Sequence, residues 1–209
     1  MGQHRYIIFI FFFVILNAFT IVLQYKGIFL EEKTNQKMEQ LSLKADTAFD
    51  FCKANQMNTD FCFLVDMSIH SGRYRFFVWD FNKDTVIAKG LCAHGYGKNS
   101  TESKPEFSNI PGSYCTSLGK YKIGIRSYSK WGINIHYKLH GLEKNNDKAF
   151  ERIVVLHSYD PVSHGEIYPS YLPLGYSQGC PVICNELMKE LDELLKSTKE
   201  STLLWIYYK

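Results

Sequence analysis

The sequence predicts a mainly β domain with few helices, carried behind an N-terminal transmembrane or signal helix. Three observations predict it. Between Phe61 and Tyr208 the apolar residues fall mostly in short β-branched and aromatic runs bounded by Gly, Asn, Asp and Ser, the pattern of strands and turns. Two stretches alone, around Leu41 to Cys52 and Glu186 to Lys199, keep a helical period. The first thirty residues are apolar almost throughout and stand apart from the rest.

Taken in order, His4 and Arg5 precede an apolar run from Tyr6 to Leu23, which matches the roughly 17–25 residues needed to cross a bilayer. No small-x-small cleavage site stands near Ala18, so an uncleaved signal anchor over residues 6–25 is favoured over a cleaved signal peptide. Either reading exports the remainder to the periplasm or cell envelope. Residues 31–60 hold a polar juncture, Glu31 to Lys37, and an amphipathic helix with Leu41, Ala45, Ala48, Phe49 and Cys52 on one face. Residues 61–209 form the main domain. It opens with strands at Phe61–Asp66 and Arg73–Asp80, joined by a turn at Ser71 and Gly72, and a third from Thr85, which together make a meander. A glycine-punctuated middle follows, from His94 to Gly124. Trp131–Leu139 alternates as a strand, and Arg152–Leu156 is apolar enough to be an interior one. Leucines at 187, 191, 194 and 195 define a helix over Glu186–Lys199, and Thr202–Tyr208 returns as the last strand.

Composition narrows the function. With 209 residues, 45% of them hydrophobic, the chain holds one core with a short appendage. The net charge of +3 is spread among acids, which leaves no basic footprint for nucleic acid. Six cysteines are too few for a disulfide-built scaffold, although export permits pairing whose connectivity spacing does not settle.

The chemistry concentrates where Arg152–Leu156 delivers His157, and Ser177-Gln178-Gly179-Cys180-Pro181 follows two dozen residues later. A thiol of ordinary pKa near 8.5 is a modest nucleophile at neutral pH, and a nearby imidazole or helix N-terminus activates it. Gly179, without a Cβ, allows a tight turn, and the N–H groups of Gly179 and Cys180 are candidate donors to an oxyanion. His94 sits beside Gly95 in a glycine loop that lines the same cleft or merely turns. The connection from His157 to Cys180 carries Tyr159, Tyr168, Tyr171 and Tyr176 and suits a substrate cover. His164, inside it, is a reserve base. His136 and His140 read as structural. His157, His164, Cys180 and Cys184 also make a conceivable zinc set, but a closed four-ligand site leaves no open catalytic position; no metal or cofactor is expected.

These motifs together resemble the L,D-transpeptidase (YkuD-like) catalytic domains of bacterial cell-wall enzymes, in the branch with a Ser-x-Gly-Cys-Pro nucleophile motif. The resemblance rests on Phe107–Ser113, Ser117–Gly124, Lys138–Glu143, Asn145–Ala149, Arg152–His157 and Ser177–Pro181 in order. It implies a β-sandwich of mixed sheets. It also implies that Cys180 attacks the carbonyl between the third and fourth residues of a peptidoglycan stem peptide, with His157 as base and Ser177 and Gly179 shaping the nucleophile loop. Release of D-alanine then leaves a thioester, which an amine resolves to a 3-3 crosslink and water resolves to a carboxypeptidase product. Ser158, His94 and Tyr176 join Ser177 as substrate-binding candidates, and carbapenems become plausible covalent inhibitors.

Three departures stand out. Ser158 follows His157 where many members have Gly, Gln178 replaces a histidine, and no arginine follows Arg152. The missing arginine leaves the stem carboxylates without an assigned receptor. It also separates the chain from sortases, which need one after the cysteine, while papain-like enzymes place cysteine before histidine. A catalytically silent peptidoglycan-binding module on the same fold is the non-enzymatic alternative.

Overall fold

The computed structural model describes residue 32 and residues 35–208. The apolar run over residues 6–25 lies outside them; among the described residues no helix is long and apolar enough to cross a membrane. The chain divides into two compact units, Met1–Lys44 and Ala45–Lys209. Helix α1 covers residues 35–54. In the second unit, Ala45, Ala48 and Cys52 of that helix are buried, and the Phe49 ring meets Phe81 edge-on at 5.2 Å.

Eight strands follow: β1 Phe61–Asp66, β2 Phe76–Asp80, β3 Thr85–Gly90, β4 Gly119–Tyr128, β5 Ile135–Gly141, β6 Val155–Ser158, β7 Val182–Ile183 and β8 Leu203–Tyr207. A 3-10 turn at Leu174–Tyr176 and helix α2 at Asn185–Ser197 precede β8. The strands join in one mixed sheet of order β3-β2-β1-β8-β4-β5-β6-β7, where two packed sheets were expected. The cause is β8. It inserts between β1, which it pairs in parallel, and β4, which it pairs antiparallel, fusing the N-terminal meander with the later strands into one ladder. The sheet then curls until Ala93, just past β3, bridges Val182 of β7, with the Ala93 N–H donating to the Val182 carbonyl at 2.8 Å. The two edges approach each other, and the sheet is nearly closed into a barrel.

The core follows from the pattern of each strand. All six residues of β1 are buried, as a continuous apolar run requires when both faces are covered. β4 alternates instead, with Tyr121 and Ile123 buried and Lys122 exposed. α2 lays Leu187, Met188 and Leu191 on the core. The same helix buries Asp192, which accepts from Arg126 Nε and from the Tyr137 hydroxyl at 2.7 Å each and pairs with Lys196 at 3.2 Å. Burial alone would raise this carboxyl, but those three donors hold it down to about 2. The helix is thereby pinned to β4 and β5.

Candidate active site

Cys180 sits two residues before β7, and the parallel register of β6 with β7 decides where it points. His157 stands opposite Val182 and Ser158 opposite Ile183. Carried back two places, that register sets Cys180 beside Val155, and the Cys180 Sγ lies 3.4 Å from the Val155 N–H and 3.9 Å from the Ile153 carbonyl. Val155 and His157 leave β6 on one face, one two-residue step of about 6.6 Å apart, while Leu156 and Ser158 turn into the core. The half-buried Cys180 and the half-buried His157 thus share a sheet face. Cross-strand partners on β5 extend it, with Lys138 opposite Val155 and His136 opposite His157.

The imidazole of His157 has a defined tautomer. Its Nδ1 is 2.9 Å from the Ser158 carbonyl, and a carbonyl only accepts, so Nδ1 carries the proton and Nε2 presents its lone pair. Burial lowers the tendency of this ring to protonate, the Ser158 carbonyl offsets part of that, and the neighbouring His136 lowers it further. His136 carries a buried Nε2 with no hydrogen-bond partner. The Cys180 thiol is pushed up by burial, and the Val155 N–H, Arg152 and Lys138 pull it partly back. At neutral pH the resting pair is therefore thiol and neutral imidazole.

The loop that carries Cys180 is shaped by one hydroxyl. Ser177 Oγ accepts from the Gly179 N–H at 2.9 Å and donates to the Cys180 carbonyl at 2.6 Å. That bond commits the Gly179 N–H, one of the two amides expected to face an oxyanion. Gly179 has φ +113°, and a Cβ there would stand 2.7 Å from the Cys115 carbonyl and 3.3 Å from Arg152 Nη2. Gly95 presses on the same loop, where a Cβ would meet the Gly179 amide nitrogen at 2.9 Å. Tyr96 follows and donates its N–H to the Ser177 carbonyl at 3.1 Å.

Arg152 holds the other wall. It lies in the turn before β6 rather than in the strand, with Ile153 at φ 56°. Its guanidinium donates through Nη1 to the Ser108 carbonyl at 2.9 Å and to Ser117 Oγ, and through Nη2 to the Cys115 carbonyl at 2.6 Å and Ser113 Oγ at 3.4 Å. One cation thus fastens the segment from Ser108 to Ser117 beside Cys180. Reading Arg152 as the first residue of a strand missed this, and no spacing rule marks it, because two of the partners are backbone carbonyls 37 and 44 residues away.

The remaining candidates are distributed as follows. His94 is buried at 3% exposure, with Nδ1 2.9 Å from Arg75 Nη2 and Nε2 2.9 Å from the Thr101 carbonyl. Both nitrogens are committed, and burial together with the Arg75 charge lowers its pKa to about 4. Ser158 is buried too, its hydroxyl accepting from the Ile133 N–H at 3.1 Å; its carbonyl, not its side chain, meets His157. Tyr176 packs edge-on against Tyr159 at 5.3 Å, and Tyr159 against Trp131 at 5.5 Å, giving an aromatic flank next to Ser177. His164 is exposed and lies 3.7 Å from Cys184, through Nδ1.

A comparison with curated proteins finds no match. Among solved structures the fold is similar to the helical cell shape determining protein Pgp2 of Campylobacter jejuni, at 12% identity, TM-score 0.47, and 71% coverage of this chain. It is also similar to Bd1075 of Bdellovibrio bacteriovorus, at 18% identity, TM-score 0.43 and 73% coverage. An L,D-transpeptidase of Xylanimonas cellulosilytica aligns at 12% identity, TM-score 0.40 and 70% coverage, matching over 60% of its own chain. The chain spans about half the length of the first two, covering 48% and 49% of them. At the level of sequence families, the L,D-transpeptidase catalytic domain matches residues 32–207, most of the chain. The protein belongs to the L,D-transpeptidase catalytic domain family.

Proposed function

We propose that this protein is a cysteine L,D-transpeptidase that acts on peptidoglycan tetrapeptide stems outside the cytoplasm, held to the membrane by residues 6–25. The reading is carried by one observation: His157 is fixed through Nδ1 to the Ser158 carbonyl with Nε2 left as acceptor, on the sheet face that also bears Cys180. In the acylation step Cys180 Sγ bonds to the carbonyl carbon between stem residues three and four while His157 Nε2 takes the thiol proton. Because the resting pair is neutral, that transfer accompanies attack rather than preceding it. The Cys180 N–H stabilises the oxyanion. Collapse breaks the carbon–nitrogen bond, His157 returns its proton to the departing D-alanine amine, and a thioester remains. An acceptor amine then attacks, losing its proton to His157, and the thiol leaves with that proton to give the 3-3 crosslink. With water as acceptor the same sequence yields a tripeptide.

Intact-mass measurement after incubation with a carbapenem tests the nucleophile. A single adduct is expected on the wild-type protein and none on Cys180→Ala. A folded wild-type protein that stays unmodified defeats the proposal in favour of a silent binding module. Incubation with purified disaccharide-tetrapeptide then separates the outcomes, since crosslinked dimer marks transfer and tripeptide alone marks hydrolysis.

A further inference from the structure

Three potential metal ligands from two segments converge outside the Cys180–His157 constellation. His164 comes from the loop between β6 and β7, Cys184 from the N-cap of α2, and Glu186 from its first turn. One donor atom of each lies within 4.8 Å of the other two, and this is the group of that kind among the described residues. His157 and Cys180 do not join it. His164 Nδ1 and Cys184 Sγ are 3.7 Å apart. In a tetrahedral zinc site with zinc–sulfur near 2.3 Å and zinc–nitrogen near 2.0 Å, that edge is about 3.5 Å, so this pair stands almost at ligand spacing. Glu186 is exposed.

The chemistry of Cys184 points the same way. Its side chain is fully buried, with Sγ 3.5 Å from the Leu187 N–H. A sulfur, a carboxylate and an imidazole gathered in this way are a donor set that suits zinc. A divalent cation placed between thiolate, carboxylate and imidazole takes three protein ligands and leaves a fourth position to water.

We propose that His164, Cys184 and Glu186 form a site for a thiophilic divalent transition cation of the zinc class. On binding, the sulfur–metal bond forms and the Cys184 thiol proton passes to solvent, so affinity rises with pH. The bound ion ties the loop that spans from His157 to Cys180 to the start of α2. It makes that tie without entering the acyl-transfer chemistry.

Titration of the purified full-length protein with zinc against a competing chelator, and with cobalt(II) followed by absorption, tests this. The expected results are one equivalent per chain and a thiolate-to-cobalt charge-transfer band. His164→Ala, at an exposed position, is expected to weaken zinc by more than the ~10-fold that loss of even an outer partner costs. Cys184→Ser, which preserves a cap, is expected to abolish the band, while Cys180→Ala retains both stoichiometry and band. Absence of a tight equivalent on folded protein overturns the proposal. So does cobalt bound without the band, unchanged affinity in His164→Ala, or loss of binding in Cys180→Ala, which would place the metal on the nucleophile. None of these readouts depends on transpeptidase activity.

Discussion

Replacing Arg152 by lysine keeps the charge and removes the fork. The guanidinium reaches four acceptors on the Ser108–Ser117 segment, two through Nη1 and two through Nη2, and a lysine ammonium, with its three donors on one nitrogen, stands at only one end of that fork. Two charge-assisted hydrogen bonds are lost. At ~1.5 kcal/mol each, the low end of the range because the side chain is half-buried and water replaces part of the loss, the variant is destabilised by about 3 kcal/mol. For a protein of this size each kcal/mol moves Tm by about 2–4 °C, so circular dichroism is expected to show a fall of roughly 6–12 °C. The Cys115 carbonyl, freed from Nη2, is also expected to drift against Gly179 and shift the loop that carries Cys180. Pseudo-first-order acylation by a carbapenem is therefore expected to slow by ~10-fold, the equivalent of about 1.4 kcal/mol in the barrier. Arg152→Met, which also removes the charge that draws the Cys180 thiol down, is expected to slow it further. A lysine variant with Tm within ~2 °C of wild type and an unchanged acylation rate refutes the clamp.

Gly179→Ala forces a Cβ to 2.7 Å from the Cys115 carbonyl at φ +113°; backbone strain alone costs ~1–3 kcal/mol, and chemical denaturation together with acylation rates should show loss of both stability and reactivity. Equal denaturation midpoints would mean the loop is more pliant than its packing suggests. Protonation of His157 removes the base, and since its pKa is lowered from 6.5, the acid limb of the acylation profile is expected below pH 6.5. In His157→Ala, alkylation of Cys180 by iodoacetamide should rise only above the ordinary thiol range, because burial raises that thiol; rapid alkylation at pH 7 would contradict a neutral resting pair. His94, lowered from 6.5 to about 4, binds its proton more readily when unfolded. Its contribution is complete above pH 6.5 and is lost as pH falls toward 4, a change of about 3 kcal/mol. Urea titrations at stepped pH should show that slope in the wild type and a flatter one in His94→Gln, and a wild-type curve flat over this window sinks the assignment. Asp192, held at about 2, acts below the window and does not imitate it.

The contrast between His157 and His94 explains what the sequence made legible. Both histidines end apolar stretches and precede small residues. The setting of His157 is readable because it depends on near neighbours in the chain: the strand that carries it and the Ser158 carbonyl beside it. The environment of His94 is set by Arg75, 19 residues away and 1% exposed, and of the two arginines that open this apolar strand, Arg73 and Arg75, nothing in the sequence marks the second as buried. The same division runs through the fold. β1 and α2 are legible from local pattern, the one as an unbroken apolar run and the other from its leucine spacing. β4, the longest strand, was hidden by Gly119, Gly124 and alternating lysines that look like turn residues, although Tyr121 and Ile123 held the inward period. The single sheet was hidden for a different reason, since it depends on β8 pairing with β1 about 140 residues earlier, and pairing partners leave no mark in either strand's composition. Arg152 belongs with this second class. A candidate thiol and a candidate base announce themselves by residue type, whereas the groups that fix their geometry act through backbone carbonyls that any sequence supplies, so the residues most worth mutating at this site are ones that chemistry alone would not have chosen.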